Sequence, residues 1–274
     1  MRKFIGKLLL SAVVVAGLSH FAGADDKMRI SMEGSTTVLP IAQATAEAFM
    51  NKNPNIMISV RGGGSGVGIS SFIAKSCDIG NSSRSIKAAE VKSAQANGLT
   101  AKSNVIAMDG LAVILNPANT ITALTKKQIK DIYTGVISDW KDVGGAAGKI
   151  VVMSRDSSSG SFEAFGSLAL DGAKVRGDAL MDASNQGIAT KVANTPGAIG
   201  YVGIGYISDA VKAVTVNGIV CSKDTVLSGK YPLSRPLFMI TNGEPTGAVK
   251  QYIDFVLSAE GQKLVGDTGF VPFK

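Results

Sequence analysis

Four polar segments, Gly34-Ser-Thr-Thr37, Gly62-Gly-Gly-Ser-Gly66, Asn81-Ser-Ser-Arg-Ser85 and Arg155-Asp-Ser-Ser-Ser-Gly-Ser161, mix hydroxyl side chains with small residues, and two of them add an arginine. Small residues let backbone N–H groups come close to a ligand. Hydroxyls donate hydrogen bonds, and a guanidinium adds charge in a planar fork. Each segment follows an apolar β-type run and most precede a helical pattern. A helix start leaves its first amides unpaired and carries the positive end of the dipole. The chemistry these residues suit is oxyanion recognition. One such loop alone reads as a helix cap or a chain reversal; four in one chain, with Arg84 and Arg155 among them, point to a ligand.

Several other chemistries are excluded. Gly144-Gly-Ala-Ala-Gly-Lys149 is one residue short of a nucleotide-binding P-loop and has Ile150 where a magnesium-binding hydroxyl belongs. The run Gly62 to Gly68 misses the dinucleotide spacing. The chain's single histidine, His20, lies in a leader-like segment: Arg2, Lys3 and Lys7, then Leu8 to Leu18 almost wholly apolar, then Ala22-Gly23-Ala24. Cleavage is expected after Ala24, with no cysteine beside it to take a lipid, and it leaves a mature chain without histidine. Histidine-based nucleophilic catalysis and imidazole zinc sites are thereby removed, and no metal or cofactor is expected. Of 28 basic residues, those three leave with the leader, so 25 face 21 acidic ones, too weak an excess to suggest nucleic acid. Cys77 and Cys221 could pair in an oxidising compartment or stay as buried thiols.

The elements that position the loops alternate. Met28–Met32, Ile56–Val60, Cys77–Gly80, Leu111–Leu115, Ile150–Met153, Ile199–Val202, Ala213–Val216 and Pro236–Ile240 read as strands. Ile41, Ala44, Ala48 and Phe49 mark one helix face. Thr125 and Gln128 form a capping box opening a helix that stops at Gly135. Val249, Ile253, Val256 and Leu257 mark a last amphipathic helix, with Pro245 in its first turn. The β-α alternation predicts an α/β protein with mainly parallel sheets, and 274 residues suffice for two lobes with a cleft between them. Trp140 is expected to pack between elements. Lys126, Lys127 and Lys130 are expected on a solvated helix face.

GSTTVLP at 34–40, RGGGSGVGI at 61–69, DIGNSSR at 78–84, DGLAVILNP at 109–117, IYTGVISDWKDVGG at 132–145, SRDSSSGS at 154–161, IGYVGIGY at 199–206 and YPLSRPLF at 231–238, in this order, resemble the phosphate-binding proteins of bacterial phosphate ABC transporters. The resemblance implies a two-lobed periplasmic binding protein of the type II kind that closes over one inorganic phosphate and hands it to a membrane permease, as a monomer and not as an enzyme. It implies lobes of 25–108 plus 236–274 and of 109–235, after a 1–24 signal peptide. Its phosphate ligands map to Ser35, Thr36, Thr37, Ser65, Ser83, Arg84, Arg155, Ser159, Gly160 and Ser161. Some members place an Asp where this chain has Ser83-Arg84, so the acidic ligand is sought elsewhere: Asp109 first, then Asp156, which is otherwise expected to orient Arg155 by a salt bridge.

The alternatives are another tetrahedral oxyanion (sulfate, molybdate or tungstate) or a secreted Ser-Lys hydrolase. Hydrogen phosphate has a proton to donate and sulfate has none, so a carboxylate in the site selects phosphate. A site of hydroxyls, amides and Arg alone would point to sulfate. No S-x-x-K motif falls on these loops, which counts against the hydrolase.

Overall fold

In β1 (Met28–Gly34) the sequence Met-Arg-Ile-Ser-Met-Glu-Gly buries Ile30, Met32 and Gly34, every second position, as a pleated strand must. The chain then enters α1 (Leu39–Lys52) with Pro40 fixing the first turn, and Ile41, Ala42, Thr45, Ala46 and Phe49 form its buried stripe. The structure is a computed structural model describing residues 28–273; the expected 1–24 leader, its cleavage after Ala24 and His20 lie outside the described residues.

The succession continues with β2 (Ile56–Gly62), α2 (Ser65–Ile73), β3 (Ile79–Ser82) and α3 (Ala88–Ala96), and β1 pairs in parallel with both β2 and β3. A second series follows: β4 (Ala101–Leu115), β5 (Ala123–Leu124), α4 (Lys126–Thr134), β6 (Val151–Arg155), α5 (Gly160–Leu168), β7 (Leu180–Asp182), α6 (Asn185–Ala193) and β8 (Ala198–Gly203). Here β6 is parallel to β7 and β8. The chain closes with β9 (Lys212–Ala213), β10 (Thr215–Val216), α7 (Lys223–Leu227), β11 (Ser234–Asn242), α8 (Gly247–Leu257) and α9 (Ala259–Asp267).

These strands lie in the order β2-β1-β3-β11-β4-β8-β6-β7. The parallel ladders expected from the alternation occupy both ends. The middle is antiparallel, because β11 runs against β3 and β4, and β4 runs against β8. The expected strand Leu111–Leu115 is the far half of the 15-residue β4: residues 101–110 pair with β11, and 111–115 pair with β8. Two α/β lobes are thus joined through β4 and β11.

Other expectations shift locally. The strand expected at Cys77 starts at Ile79, since Asp78 meets β1 through its carboxylate, which accepts from Ser31 N–H and Oγ–H at 2.8 Å. Residues 213–216 split in two: Ala213 belongs to β9 beside β4, and Thr215–Val216 pair with β5. Pro245 lies ahead of Thr246, the N-cap of α8, and so outside its first turn. The Thr125–Gln128 box closes reciprocally at 3.1 and 2.8 Å, and Gly135 ends α4 at φ 88°. Trp140 is buried and its indole N–H donates to Gly197 O at 3.1 Å, which is a packing role. Lys126 and Lys130 pair with Asp171, and Lys127 with Asp131.

Cys77 and Cys221 are free thiols. Burial, with Glu33 and Asp78 nearby, pushes Cys77 up to about 11, and burial raises Cys221 as well. Thiolate is the reactive form, so at pH 8 iodoacetamide should modify Cys77 of the native protein about a hundredfold more slowly than in denaturant. Comparable rates, followed by mass spectrometry, would contradict the buried placement.

Candidate oxyanion site

The polar loops lead into helices, and the fold brings them to the place where β4 and β11 pass between the lobes. On the first lobe, Ser35 N–H donates to Asn81 O at 2.9 Å, and Ser35 Oγ accepts from the amides of Thr37 (3.1 Å) and Val38 (3.3 Å). A hydroxyl that accepts as a cap keeps its own proton to donate. Gly34 makes the close approach possible: it sits at φ 135°, and a Cβ there would collide with the Asn81 carbonyl. Ser65, first residue of α2, accepts from the Ser83 amide at 2.9 Å and lies 3.2 Å from Ser83 Oγ.

On the second lobe, Arg155 ends β6 and the loop turns at once into α5. The Asp156 carboxylate accepts from Ser158 N–H (2.8 Å) and Oγ–H (2.5 Å), which closes the turn. Ser159 caps α5, accepting from the amides of Ser161 and Phe162. Ser158 touches the first lobe: its Oγ lies 3.2 Å from Gly63 O, and its carbonyl accepts from Gly66 N–H (2.9 Å). Gly160 is the point of tightest approach. A Cβ there would overlap Ser65 Oγ and lie 2.8 Å from Ser83 Oγ.

Arg155 is buried and aimed at the first lobe. Its Nε donates to Asp182 O (3.1 Å), and its Nη2 donates to Ala183 O (2.7 Å) and Thr36 Oγ1 (3.1 Å). Its Nη1 is buried with no hydrogen-bond partner among the described residues. Burial pulls this guanidinium below its ordinary value, but arginine stays charged. A buried cationic donor left unsatisfied is costly unless a ligand completes it.

Ser35, Thr36, Thr37, Ser65, Ser83, Arg155, Ser159, Gly160 and Ser161 are thus brought together, with Thr37 Oγ1 and Ser161 Oγ 3.1 Å apart across the lobes. Two other residues occupy the same place although the sequence reading did not single them out. Asn185, first residue of α6, donates to Thr36 Oγ1 (3.2 Å) and Thr37 Oγ1 (3.0 Å) while its carbonyl accepts from Gly203 N–H. Arg235, on β11, donates through Nη2 to Ser161 Oγ (2.8 Å) and Thr37 Oγ1 (3.3 Å), and through Nη1 to Ser83 O (3.0 Å). Their signals were faint: an Asn behind a capping Ser, and an Arg inside an apolar strand.

Three sequence expectations need correction. Arg84 is turned away from the hydroxyls: Nη1 and Nη2 engage Glu90 at 2.8 and 2.7 Å, and Nε lies 3.1 Å from Glu163. Asp156 makes a loop turn instead of a salt bridge to Arg155, whose partners are backbone carbonyls and Thr36. Asp109 is fully buried behind Arg235. One of its oxygens accepts from Arg235 at 2.8–2.9 Å and the other from Ile204 N–H at 2.9 Å. Burial pushes the Asp109 carboxyl above its ordinary range, against the pull of Arg235. Asp109 holds Arg235 and does not line the hydroxyl cluster. Arg155 and Arg235 bring positive charge to the site, which is surrounded by the starts of α1, α2, α5 and α6.

Residues 21–260 match the family model of the PBP superfamily domain. The Phosphate-binding protein PstS of Bacillus subtilis is 36% identical over 89% of this chain and 80% of its own length. That of Borreliella burgdorferi is 33% identical over the whole of both chains. Among solved structures, a putative phosphate ABC transporter substrate-binding protein with bound phosphate from Clostridium perfringens superposes with a TM-score of 0.83 at 36% identity, covering 90% of this chain and all of that one. An ABC-type phosphate transport receptor from Vibrio cholerae gives 0.74 at 32%, covering 88% of this chain and 99% of that one. With identity of this order along nearly its full length, and with a two-lobed fold whose helix starts converge on buried arginine, the chain belongs to the phosphate-binding protein family of the PBP superfamily.

Proposed function

We propose that this chain binds inorganic phosphate and delivers it to the permease of an ABC transporter. The observation that carries the reading is Arg155, buried, braced by two carbonyls and the Thr36 hydroxyl of the other lobe, with Nη1 left without a partner among the described residues. Its family is one of substrate-binding transport proteins. We assign ligation to Arg155 and Arg235, to the hydroxyls of Ser35, Thr36, Thr37, Ser65, Ser83, Ser159 and Ser161, and to the Gly160 amide. Asp109 is placed behind Arg235 and not among the hydroxyls, so we assign the proton of hydrogen phosphate to a serine or threonine oxygen, able to accept as well as donate. Lobes of 25–108 plus 236–274 and of 109–235 fit the change of partner along β4 and the pairing of Gly110 with Ser234. Export by the leader and action as a monomer outside the cytoplasmic membrane complete the reading.

A thermal-shift panel tests it. A ligand that binds only the native state raises its melting temperature by mass action, so phosphate should stabilise the protein more than sulfate, molybdate or tungstate. A larger shift with sulfate would replace the reading. Gly160→Ala gives a second check. A methyl group there meets Ser65 and Ser83 as the lobes close, so phosphate affinity should fall about tenfold or more by calorimetry, while the unliganded melting temperature stays near wild type because alanine suits a helix start. Wild-type affinity would mean that the lobes do not close to this contact.

A further inference from the structure

We propose that Glu163 is a latch between the lobes, a positioning residue whose ion pairs form only on closure and which thereby slows the release of phosphate; this rests on the phosphate reading above. Glu163 lies in the first turn of α5, two residues after Ser161. Its carboxylate meets Lys87 Nζ at 2.8 Å and Arg84 Nε at 3.1 Å, both from the segment that continues Ser83 into α3 on the other lobe. Arg84 has a second partner, Glu90, gripped by both Nη atoms, and Glu90 also accepts from Lys87 N–H at 2.8 Å. Those bonds lie within residues 84–90 and survive separation of the lobes. The Glu163 pairs cross between lobes and do not.

The two sides therefore have different histories in one cycle. In the open form Arg84 is already fixed by Glu90, a preformed socket beside Ser83. Closure brings Glu163 into that socket while Ser161 reaches Thr37. Arg84, Glu163, Ser83 and Arg235 also line a cleft of about 430 Å³, so the latch stands across a face that reaches two of the assigned ligands. A contact made in one of two conformations shifts the balance towards that conformation and is felt as affinity at the ligand site. Because it forms after encounter, its effect falls on dissociation. The Glu163 side chain is 23% exposed and that of Lys87 54%, so salt screens the latch more than the buried Asp109–Arg235 pair.

The test is phosphate titration and stopped-flow release for wild type, Glu163→Gln, Lys87→Met and the double variant, at low and high salt. Glu163→Gln should weaken binding about three- to tenfold, the range expected of a partly exposed pair with two cations. Faster release should account for the loss, with the association rate and the unliganded melting temperature unchanged. Wild-type release should speed up with salt and that of Glu163→Gln should not. Lys87→Met should give part of the effect, and the double variant no more than Glu163→Gln alone. Wild-type release from Glu163→Gln, or additive effects in the double variant, would overturn the latch. If the wild-type protein itself fails to bind phosphate, the functional reading fails instead, so the two failures are told apart by the first titration.

Discussion

Arg155→Ala is expected to lose about a hundredfold or more in phosphate affinity. The guanidinium is held by Asp182 O, Ala183 O and Thr36 Oγ1, so it meets the ligand already oriented and without the entropy cost of being fixed. A charge-assisted hydrogen bond contributes about 1.5–3 kcal/mol, and about 1.4 kcal/mol is tenfold in affinity, so losing the charge and the fork together reaches that figure. Arg155→Lys should recover only a minor part, since an ammonium cannot span two carbonyls, Thr36 and a phosphate oxygen at once. Calorimetric titration of both variants decides it, with melting of the unliganded proteins reporting that they fold. An affinity within threefold of wild type for Arg155→Ala would sink the assignment.

The second large effect is on stability. Asp109→Asn removes the carboxylate that Arg235 faces in a fully buried pair. Breaking such a pair costs about 3–5 kcal/mol, because the surviving charge stays buried without compensation. For a chain of this length that is a fall in melting temperature of roughly 10 °C. The freed guanidinium still points at Ser161 and Thr37, so an oxyanion restores part of the loss, and phosphate and sulfate should do so alike. Were Asp109 the acceptor of the phosphate proton, as the sequence suggests, this substitution would narrow the phosphate-to-sulfate ratio by orders of magnitude. With Asp109 behind Arg235, that ratio should instead stay within about threefold, a difference well below the 1.4 kcal/mol of a tenfold change. Competition titration separates the two outcomes, and a collapsed ratio would return Asp109 to the ligand itself.

Local rules were legible in the sequence, and long-range pairings were not. The Thr125–Gln128 box and the Gly135 stop appear where they were expected because capping is decided within a few residues. The loop Arg155 to Ser161 was readable for the same reason, since a strand end, a turn and a capped helix fix its shape. Arg84 and Asp109 were misplaced because their settings depend on partners far along the chain. Glu163 and Arg235 stand 79 and 126 residues away respectively, counting from the residue numbers. Arg235 and Asn185 escaped notice because neither lies in a glycine-rich loop, and only the pairing of β11 with β4 and the start of α6 bring them to the hydroxyls. The near half of β4 went unread because Ala101-Lys-Ser-Asn-Val105 is polar and half-exposed, without the apolar signature of Leu111–Leu115.

The place of β11 in the sheet has a consequence for the order in which the protein can be built. Residues 234–242 follow every other described strand in the chain, yet they lie between β3 and β4, in the middle of the sheet. Until they arrive, β3 presents a bare edge and the two ends of the sheet cannot be joined. The pairings that complete the fold are also among its longest in sequence, Phe238 with Ser82 and Asn242 with Ala101, which makes them slow. A chain released from its N-terminus onward therefore stays incomplete until β11 is available. A fragment ending before Ser234 should expose the β3 edge, bind hydrophobic dyes and aggregate, whereas a soluble, cooperatively melting fragment would show that β11 is not the closing strand.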